Sequence, residues 1–379
     1  MAPPWVEPAR PRARLDETGA ARLSCAPSPS PETAAMPPTA DATLDLDALG
    51  PWLAAQGARV GRPLSAEKFA GGQSNPTFLL RGPEGAVVLR RKPPGQLLKS
   101  AHAVDREHRV QAALAATDVP VPRMIGLCED ESVIGSVFYV MEHVPGRCFD
   151  DPRLPDVAPA TRRAMMAESA RVLAAIHRVD LEAMGLADFG RPGDYFARQL
   201  DRWTRQYRAT ETETIPAMDA LIAWLERNAP GDDGRRALVH GDYRIDNLLF
   251  ANDGAACRAV LDWELSTLGH PFADVAAVLM QWRLPPGRAT RGLAGEDRAA
   301  LGLPSDEAYL ETYARAAGLD EPPDLTVWLP FAFFRMAAIL QGVRRRALDG
   351  NASDPERGLR LGAEAPRFAA LGLEAAERG

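Results

Sequence analysis

Apolar residues along this chain fall into two regimes. Between Pro63 and Pro94 they come in short runs separated by Gly and Pro: Glu67-Lys68-Phe69, Thr77-Phe78-Leu79-Leu80-Arg81 and Ala86-Val87-Val88-Leu89-Arg90. Short apolar runs between turn residues predict an antiparallel sheet. Helical spacing flanks it on both sides, over 44–57 through Leu44, Leu46, Leu49, Trp52 and Leu53, and over 103–116 through Val104, Val110 and Leu114. Val137–Glu142 reads as a buried strand that stops at His143-Val144-Pro145-Gly146. After Ala158 the spacing is helical almost throughout, predicting helices over 161–179, 195–207, 215–228, 271–282, 307–317 and 326–348.

These elements predict an α+β, bilobal chain with a small antiparallel β lobe over 41–144, including one main helix, and a larger, mostly helical lobe over 145–365. Residues 1–40 read as a disordered Pro/Ala-rich extension and 366–379 as a C-terminal tail. Arg10, Arg12, Arg14 and Arg22 invite a transit-peptide reading, but Glu7, Asp16, Glu17 and many prolines oppose it, and no apolar core of a leader is present. A chain of 379 residues exceeds what one compact core usually needs. Its formal charge of −7 argues against a nucleic-acid binder. No stretch approaches the ~18 continuous apolar residues of a membrane span. Cys25, Cys128, Cys148 and Cys257 lack metal-site spacing and read as reduced thiols, which places the chain in the cytoplasm.

One segment carries most of the chemistry. Leu238-Val239-His240-Gly241-Asp242-Tyr243-Arg244-Ile245-Asp246-Asn247 sets Asp242 and Asn247 five positions apart after a His, and Leu261-Asp262-Trp263-Glu264 follows an apolar run. Phosphoryl transfer from ATP needs a carboxylate at the acceptor hydroxyl, and an amide plus a second carboxylate for Mg²⁺. The segment keeps the H-R-D-x-x-x-x-N spacing with Gly241 in the Arg position, and Asp262 falls where the metal-binding Asp of D-F-G would sit. Asp242 is thus the expected catalytic group, with Asn247 and Asp262 the expected metal ligands. Arg244 is placed to neutralise charge on the transferring group, or else to pair with Asp246.

On these residues the chain resembles the aminoglycoside phosphotransferase and choline kinase superfamily, whose members carry H-G-D-x-x-x-x-N followed by I/L-D-W/F-E. Leu261-Asp262-Trp263-Glu264-Leu265-Ser266-Thr267-Leu268-Gly269-His270-Pro271, the stretch Pro93-Pro94-Gly95 to Glu107, and Phe334–Ala347 resemble the branch linked to acyl-CoA dehydrogenases. The likeness spans roughly 41–365. It implies a protein-kinase-like fold, ATP and Mg²⁺ as cofactors, a small-molecule hydroxyl acceptor such as a hydroxyacyl-CoA or hydroxy acid, and a functional link to an acyl-CoA dehydrogenase. It also implies that His240 is structural and that Asp274 anchors the catalytic loop. The family name offers an aminoglycoside acceptor as the alternative, and a catalytically silent module partnering a dehydrogenase is a further one. Against the silent module stands the intact set Asp242, Asn247 and Asp262.

Nucleotide contacts are expected from the small lobe. The loop around Gly71, Gly72, Ser74 and Asn75 joins two strands with small, hydrogen-bonding residues, as a phosphate-covering loop does, without being a Walker A motif. Arg90 occupies the slot of the strand-three lysine, with Lys92 on the same face as the alternative. Glu107 is its expected ion-pair partner, and backbone groups from Met141 to His143 face adenine. Arg335 stands among Phe333, Phe334, Met336 and Ile339, so it needs an acidic partner or a substrate anion.

Overall fold

In a computed structural model, the structure describes residues 44–69, 75–93, 103–286, 290–352 and 354–378. The calls on 1–40 and on Gly71, Gly72 and Ser74 lie outside the described residues. Leu44–Gly379 forms one compact unit.

The small lobe is built as its pattern requires. Among the described residues β1 (Ser65–Lys68), β2 (Thr77–Gly82), β3 (Gly85–Arg91), β4 (Met124–Cys128) and β5 (Phe138–Glu142) form an antiparallel sheet in the order β1-β2-β3-β5-β4. Successive strand residues point to opposite faces. Phe78, Leu80, Val87, Leu89, Phe138 and Val140 therefore pack with Leu49 and Leu53 of α1 (Leu46–Ala55). Leu79, Val88, Tyr139 and Met141 share the opposite face with Val104 of α2 (Val104–Leu114). β4 has no counterpart in the sequence-based expectation. Its residues are mostly half-buried without alternation and Gly126 interrupts it, so no strand periodicity shows.

The large lobe contains α3 (Pro159–His177), α4 (Tyr195–Thr210), α5 (Pro216–Arg227), α6 (Phe272–Trp282), α7 (Arg298–Leu301), α8 (Asp306–Ala317), α9 (Trp328–Leu348), α10 (Pro355–Gly362) and α11 (Ala365–Arg378). Between α5 and α6, where the pattern predicts no helix, lie short strands. β6 (Ala237–Val239) pairs with β9 (Thr267–Gly269), and β7 (Leu248–Phe250) pairs with β8 (Cys257–Val260). The first ladder brings the segment before His240 alongside the one after Asp262. No helix among the described residues is long and apolar enough to cross a membrane.

One apolar core joins α3, α6 and α8 to β6–β9 and also takes in Val110 and Leu114 from α2. A second surrounds α9, whose Phe331, Phe333, Phe334, Ala337 and Ala338 are buried against α4, α5, α6 and α11.

The expected tail over 366–379 is instead the helix α11, with Ala365, Phe368, Ala369 and Gly372 buried. A Cβ at Gly372 would stand 2.6 Å from Leu221 Cδ2 and 2.9 Å from Phe333 Cβ, so the helices meet there with no room to spare. Phe368→Ala is expected to lower unfolding free energy by about 3–5 kcal/mol, as for other buried Phe truncations. Urea denaturation checks this; a change below about 0.5 kcal/mol, the surface level, would restore the tail.

Candidate active site

The catalytic loop leaves β6 at His240 and turns sharply. Gly241 has φ +82°, and a Cβ there would lie 2.6 Å from Leu265 O, so the position suits glycine on both counts. The two consecutive N–H groups of His240 and Gly241 donate to Asp274 Oδ2 (2.6 Å) and Oδ1 (2.9 Å). Asp274, near the start of α6, is fully enclosed. His177 at the end of α3 lies 3.4 Å away through Nε2, and its Nδ1 meets Tyr313 of α8 at 2.7 Å. Burial pushes the Asp274 carboxyl up, but His177 and the His240 N–H outweigh it and hold the carboxyl below its ordinary range. The anchoring role implied for Asp274 thus has a geometry. His177 was not legible beforehand, because a lone His on a helix face gives no signal of a partner far along the chain.

His240 acts as a spacer. Its Nδ1 accepts from Asp242 N (3.3 Å) while Nε2 donates to Leu261 O (3.0 Å), joining the loop to the residue before Asp262. Its ring lies 4.7 Å from that of Trp263, which is buried and donates to Val260 O.

Asp242, Asn247 and Asp262 converge as their spacing predicts. Asn247 Nδ2 donates to Asp242 O (2.8 Å) and Oδ2 (3.2 Å), which commits the amide nitrogen to the loop and leaves the amide oxygen to face elsewhere. Leu261 N donates to Asn247 O, drawing the β8 exit to the loop. Asp262 adopts left-handed backbone, φ 65° and ψ 60°, before a short 3-10 turn at Trp263–Leu265. Such a conformation in a non-glycine residue costs roughly 1–3 kcal/mol and clusters at functional sites. Arg244 lies 3.1 Å from Asp246 Oδ2, so the anticipated pairing with Asp246 is made, and it also lies 3.4 Å from Asp242 Oδ2, a contact not anticipated. Arg291 also pairs with Asp246, whose carboxyl is still pushed up by burial.

Arg90 completes the cleft from the small lobe. Its Nε is 2.8 Å from Glu107 Oε2, and its Nη2 is 2.7 Å from Asp262 Oδ1 and 3.5 Å from Glu264 Oε2. Lys92 is instead 3.8 Å from the half-exposed Asp105, so Arg90 is the cleft cation. Glu107 also accepts from Asn75 Nδ2 (2.7 Å) and Tyr139 Oη (3.1 Å). The buried Asn75 side chain thus stands behind the cation rather than over phosphates. Burial pushes Glu107 up to about 7, against the pull of Arg90 and with help from Asp262 and Glu264. Burial alone would lower Arg90, yet Glu107 first, and then Tyr139 and Asp262, hold it above its usual value; it is the firmly charged member. Met141 is buried at the end of β5, and His143 follows in the connection between lobes. Arg335 reaches the loop from α9, with Nη2 3.2 Å from Gly241 O.

Among the described residues no group of three or more His, Cys, Asp and Glu side chains is placed to hold a metal. One amide oxygen and one carboxylate fit Mg²⁺, which takes its remaining ligands from phosphate and water.

Asp274→Ala would strip two buried N–H groups and His177 of their acceptor. At about 1–3 kcal/mol for each unsatisfied group, stability is expected to fall by on the order of 3 kcal/mol in chemical denaturation, with kcat falling alongside. Because the folded carboxyl sits below its unfolded value, its contribution is present above roughly pH 4 and is lost as pH drops further. A pH series of denaturation curves should show that acid-side loss in the parent and not in Asp274→Asn.

The chain matches the phosphotransferase enzyme family over residues 65–328. It is 48% identical over 292 residues to acyl-CoA dehydrogenase family member 10 of Mus musculus, covering 77% of this chain and 27% of that protein. It is 45% identical over 293 residues to acyl-CoA dehydrogenase family member 11 of Gallus gallus, covering 76% of this chain and 38% of that one. The chain spans between about a quarter and two fifths of the length of the curated relatives it matches. A crystal structure from Ralstonia eutropha, described provisionally as an aminoglycoside phosphotransferase, is 47% identical, superposes with a TM-score of 0.80 and covers 88% of this chain and 99% of its own. Together with the geometry of the catalytic loop, these likenesses establish that the chain belongs to the phosphotransferase enzyme family, which moves a phosphoryl group to a hydroxyl-bearing acceptor.

Proposed function

We propose that this chain is an ATP- and Mg²⁺-dependent small-molecule kinase whose acceptor is the hydroxyl of an acyl compound, a hydroxyacyl-CoA or hydroxy acid. The observation that carries the kinase reading is the convergence of Asp242, Asn247 and Asp262 in one cleft with the Arg90–Glu107 pair. What supports the acyl acceptor is the 40–48% identity to acyl-CoA dehydrogenase family members, and with it a functional link to such a dehydrogenase. The free Cys128, Cys148 and Cys257 suit the reducing cytoplasm where ATP is plentiful.

In this reading Asp242 orients the acceptor hydroxyl and receives its proton as the oxygen attacks the γ-phosphorus of ATP. Arg244, tied to both Asp242 and Asp246, fixes the angle of that carboxylate. Asn247 and Asp262 hold Mg²⁺, which when bound neutralises charge on the phosphate oxygens. Arg90, steadied by Glu107, meets the α- and β-phosphates, and Asn75 braces Glu107. The backbone from Met141 to His143 takes adenine. Most of the acceleration then comes from positioning and preformed charge rather than covalent chemistry.

An ATP-consumption screen over hydroxyacyl-CoAs, free hydroxy acids, choline-like amines and aminoglycosides tests the assignment. Turnover restricted to aminoglycosides would remove the acyl acceptor. Asp242→Asn is expected to cut kcat by about 10²–10⁴-fold, the range for loss of a general base, with ATP affinity kept. Retention of a tenth of kcat would take Asp242 out of its role. Asp262→Ala is expected to shift the Mg²⁺ titration of ATP binding as well as turnover, since a charged ligand is removed. An unchanged titration would place the metal elsewhere, with Glu264 the first residue to examine.

A further inference from the structure

Three polar side chains stand on α9 among its apolar neighbours: Arg335, Gln341 and Arg344. Two are accounted for by the connection from α4 to α5. Gln341 donates to Thr210 O (3.0 Å) and Thr212 Oγ1 (2.8 Å), and Arg344 pairs with Glu213. Arg335 is different. Its Nη2 donates to Gly241 O, its Nε is buried without an acceptor among the described residues, and no described carboxylate forms an ion pair with it. A guanidinium has five N–H donors in a fixed fork; here Nε is buried without a partner, a costly state, while the half-buried side chain keeps its other donors accessible.

Its surroundings make the shortage sharper. The Arg335 guanidinium lies 5.7 Å from the centroid of the Trp203 ring on α4, and Arg202 lies 5.1 Å from the same ring. Arg202 likewise has no ion pair among the described residues. Two cations on one indole repel each other, and a cation–π contact of about 0.5–2 kcal/mol does not neutralise either. Asp274, whose charge reaches the nearby Tyr195 phenol together with Arg335, Arg198 and Arg202, is already taken up by the His240 and Gly241 N–H groups and His177. The carbonyl that Arg335 touches belongs to the residue before Asp242. In the kinase reading, the guanidinium is therefore close to the hydroxyl that Asp242 would orient.

We propose that Arg335, assisted by Arg202 across Trp203, is a specificity-determining subsite for a carboxyl-level oxygen, a free carboxylate or a thioester carbonyl, a few atoms from the reacting hydroxyl. The proposal rests on the kinase reading and sharpens its substrate class. A planar fork matches two oxygens of a carboxylate and donates equally well to a single carbonyl oxygen. The same pair of cations repels polyamine acceptors and gives neutral alcohols nothing to hold, which sets selectivity by repulsion as well as attraction.

The test compares hydroxy acids with the hydroxyl at successive positions, their coenzyme A thioesters, matched neutral diols, amino alcohols and an aminoglycoside. The parent enzyme is expected to favour acid or thioester over the matched diol by at least about tenfold in kcat/KM, and the better of the two identifies the oxygen's source. Arg335→Met should raise acceptor KM about 10- to 100-fold, as for loss of a charged hydrogen bond worth about 1.5–3 kcal/mol. kcat and the KM for ATP should change less than about threefold, and the preference over the diol should collapse. Arg335→Lys should recover part of it, and the surface change Arg202→Met should weaken it without loss of Tm. Calorimetric binding of an acyl-coenzyme A that lacks the hydroxyl gives a readout independent of turnover, expected to weaken about tenfold in both Met variants. Parent-like preference and equal acyl-thioester affinity in both would overturn the subsite, as would a parent enzyme that favours diols, amino alcohols or the aminoglycoside. Absence of turnover on every alcohol would sink the kinase reading instead, while the binding comparison still decides the subsite.

Discussion

A single buried carboxylate organises the catalytic centre. Two successive backbone N–H groups, at His240 and Gly241, both end on Asp274, and the positive φ of Gly241 then turns the chain toward Asp242. Without that acceptor they would lose their hydrogen-bond partner in the interior. The carboxylate is fixed in turn by His177 and Tyr313, so α3, α6 and α8 are all committed to the same loop. From this anchor the rest follows in order. His240 sets the distance to Leu261, Asn247 closes on Asp242, and Asp262 is held in a backbone conformation that it would not adopt alone.

The second organising charge is Arg90. It stands between the Glu107 of a helix and the Asp262 of the opposite lobe, with Glu264 just beyond. One cation facing three carboxylates leaves the cleft acidic, a setting suited to a divalent ion and poorly suited to an unescorted polyphosphate. In the proposed reading, Arg90 with Asn247 and Asp262 would make a site that is electrostatically complete only when nucleotide and metal arrive together. On the side proposed for the acceptor the balance inverts, with Arg335 and Arg202 free of carboxylate partners among the described residues.

The sequence made the grouping of polar residues in the cleft more legible than the architecture around it. The approach of Asn247 to Asp242 could be read because a tight local turn sets their spacing, that of Asp262 because it follows the apolar run of β8, and that of Arg90 to Glu107 because strand alternation and element order narrow the choice. β4 escaped because half-burial of consecutive residues erases the period on which strand recognition depends. α11 was taken for a tail because Ala and Gly carry little hydropathic signal, although small residues are what let it approach Leu221 and Phe333 so closely. Asn75 sits in a segment that reads as a phosphate loop, yet its side chain turns inward to Glu107, a direction that no local pattern encodes. His177 and Arg335 share a reason for being obscure. What defines each is a partner, or the lack of one, on an element distant in the chain.

The helix α2 belongs to the small lobe by sequence, but Val110 and Leu114 lie in the apolar core shared with α3, α6, α8 and the short strands around the catalytic loop. Arg106 extends the same attachment, donating to Phe189 O and resting 4.1 Å from the Phe189 ring centroid. The seam between the lobes is therefore not a seam in the packing. Recombination at the linker between the lobes would divide one hydrophobic interior between two parents, and each half would inherit cavities shaped for the other's side chains. A fold wired in this way is passed on whole: it can be joined to new neighbours at its ends, but its halves are poor material for exchange.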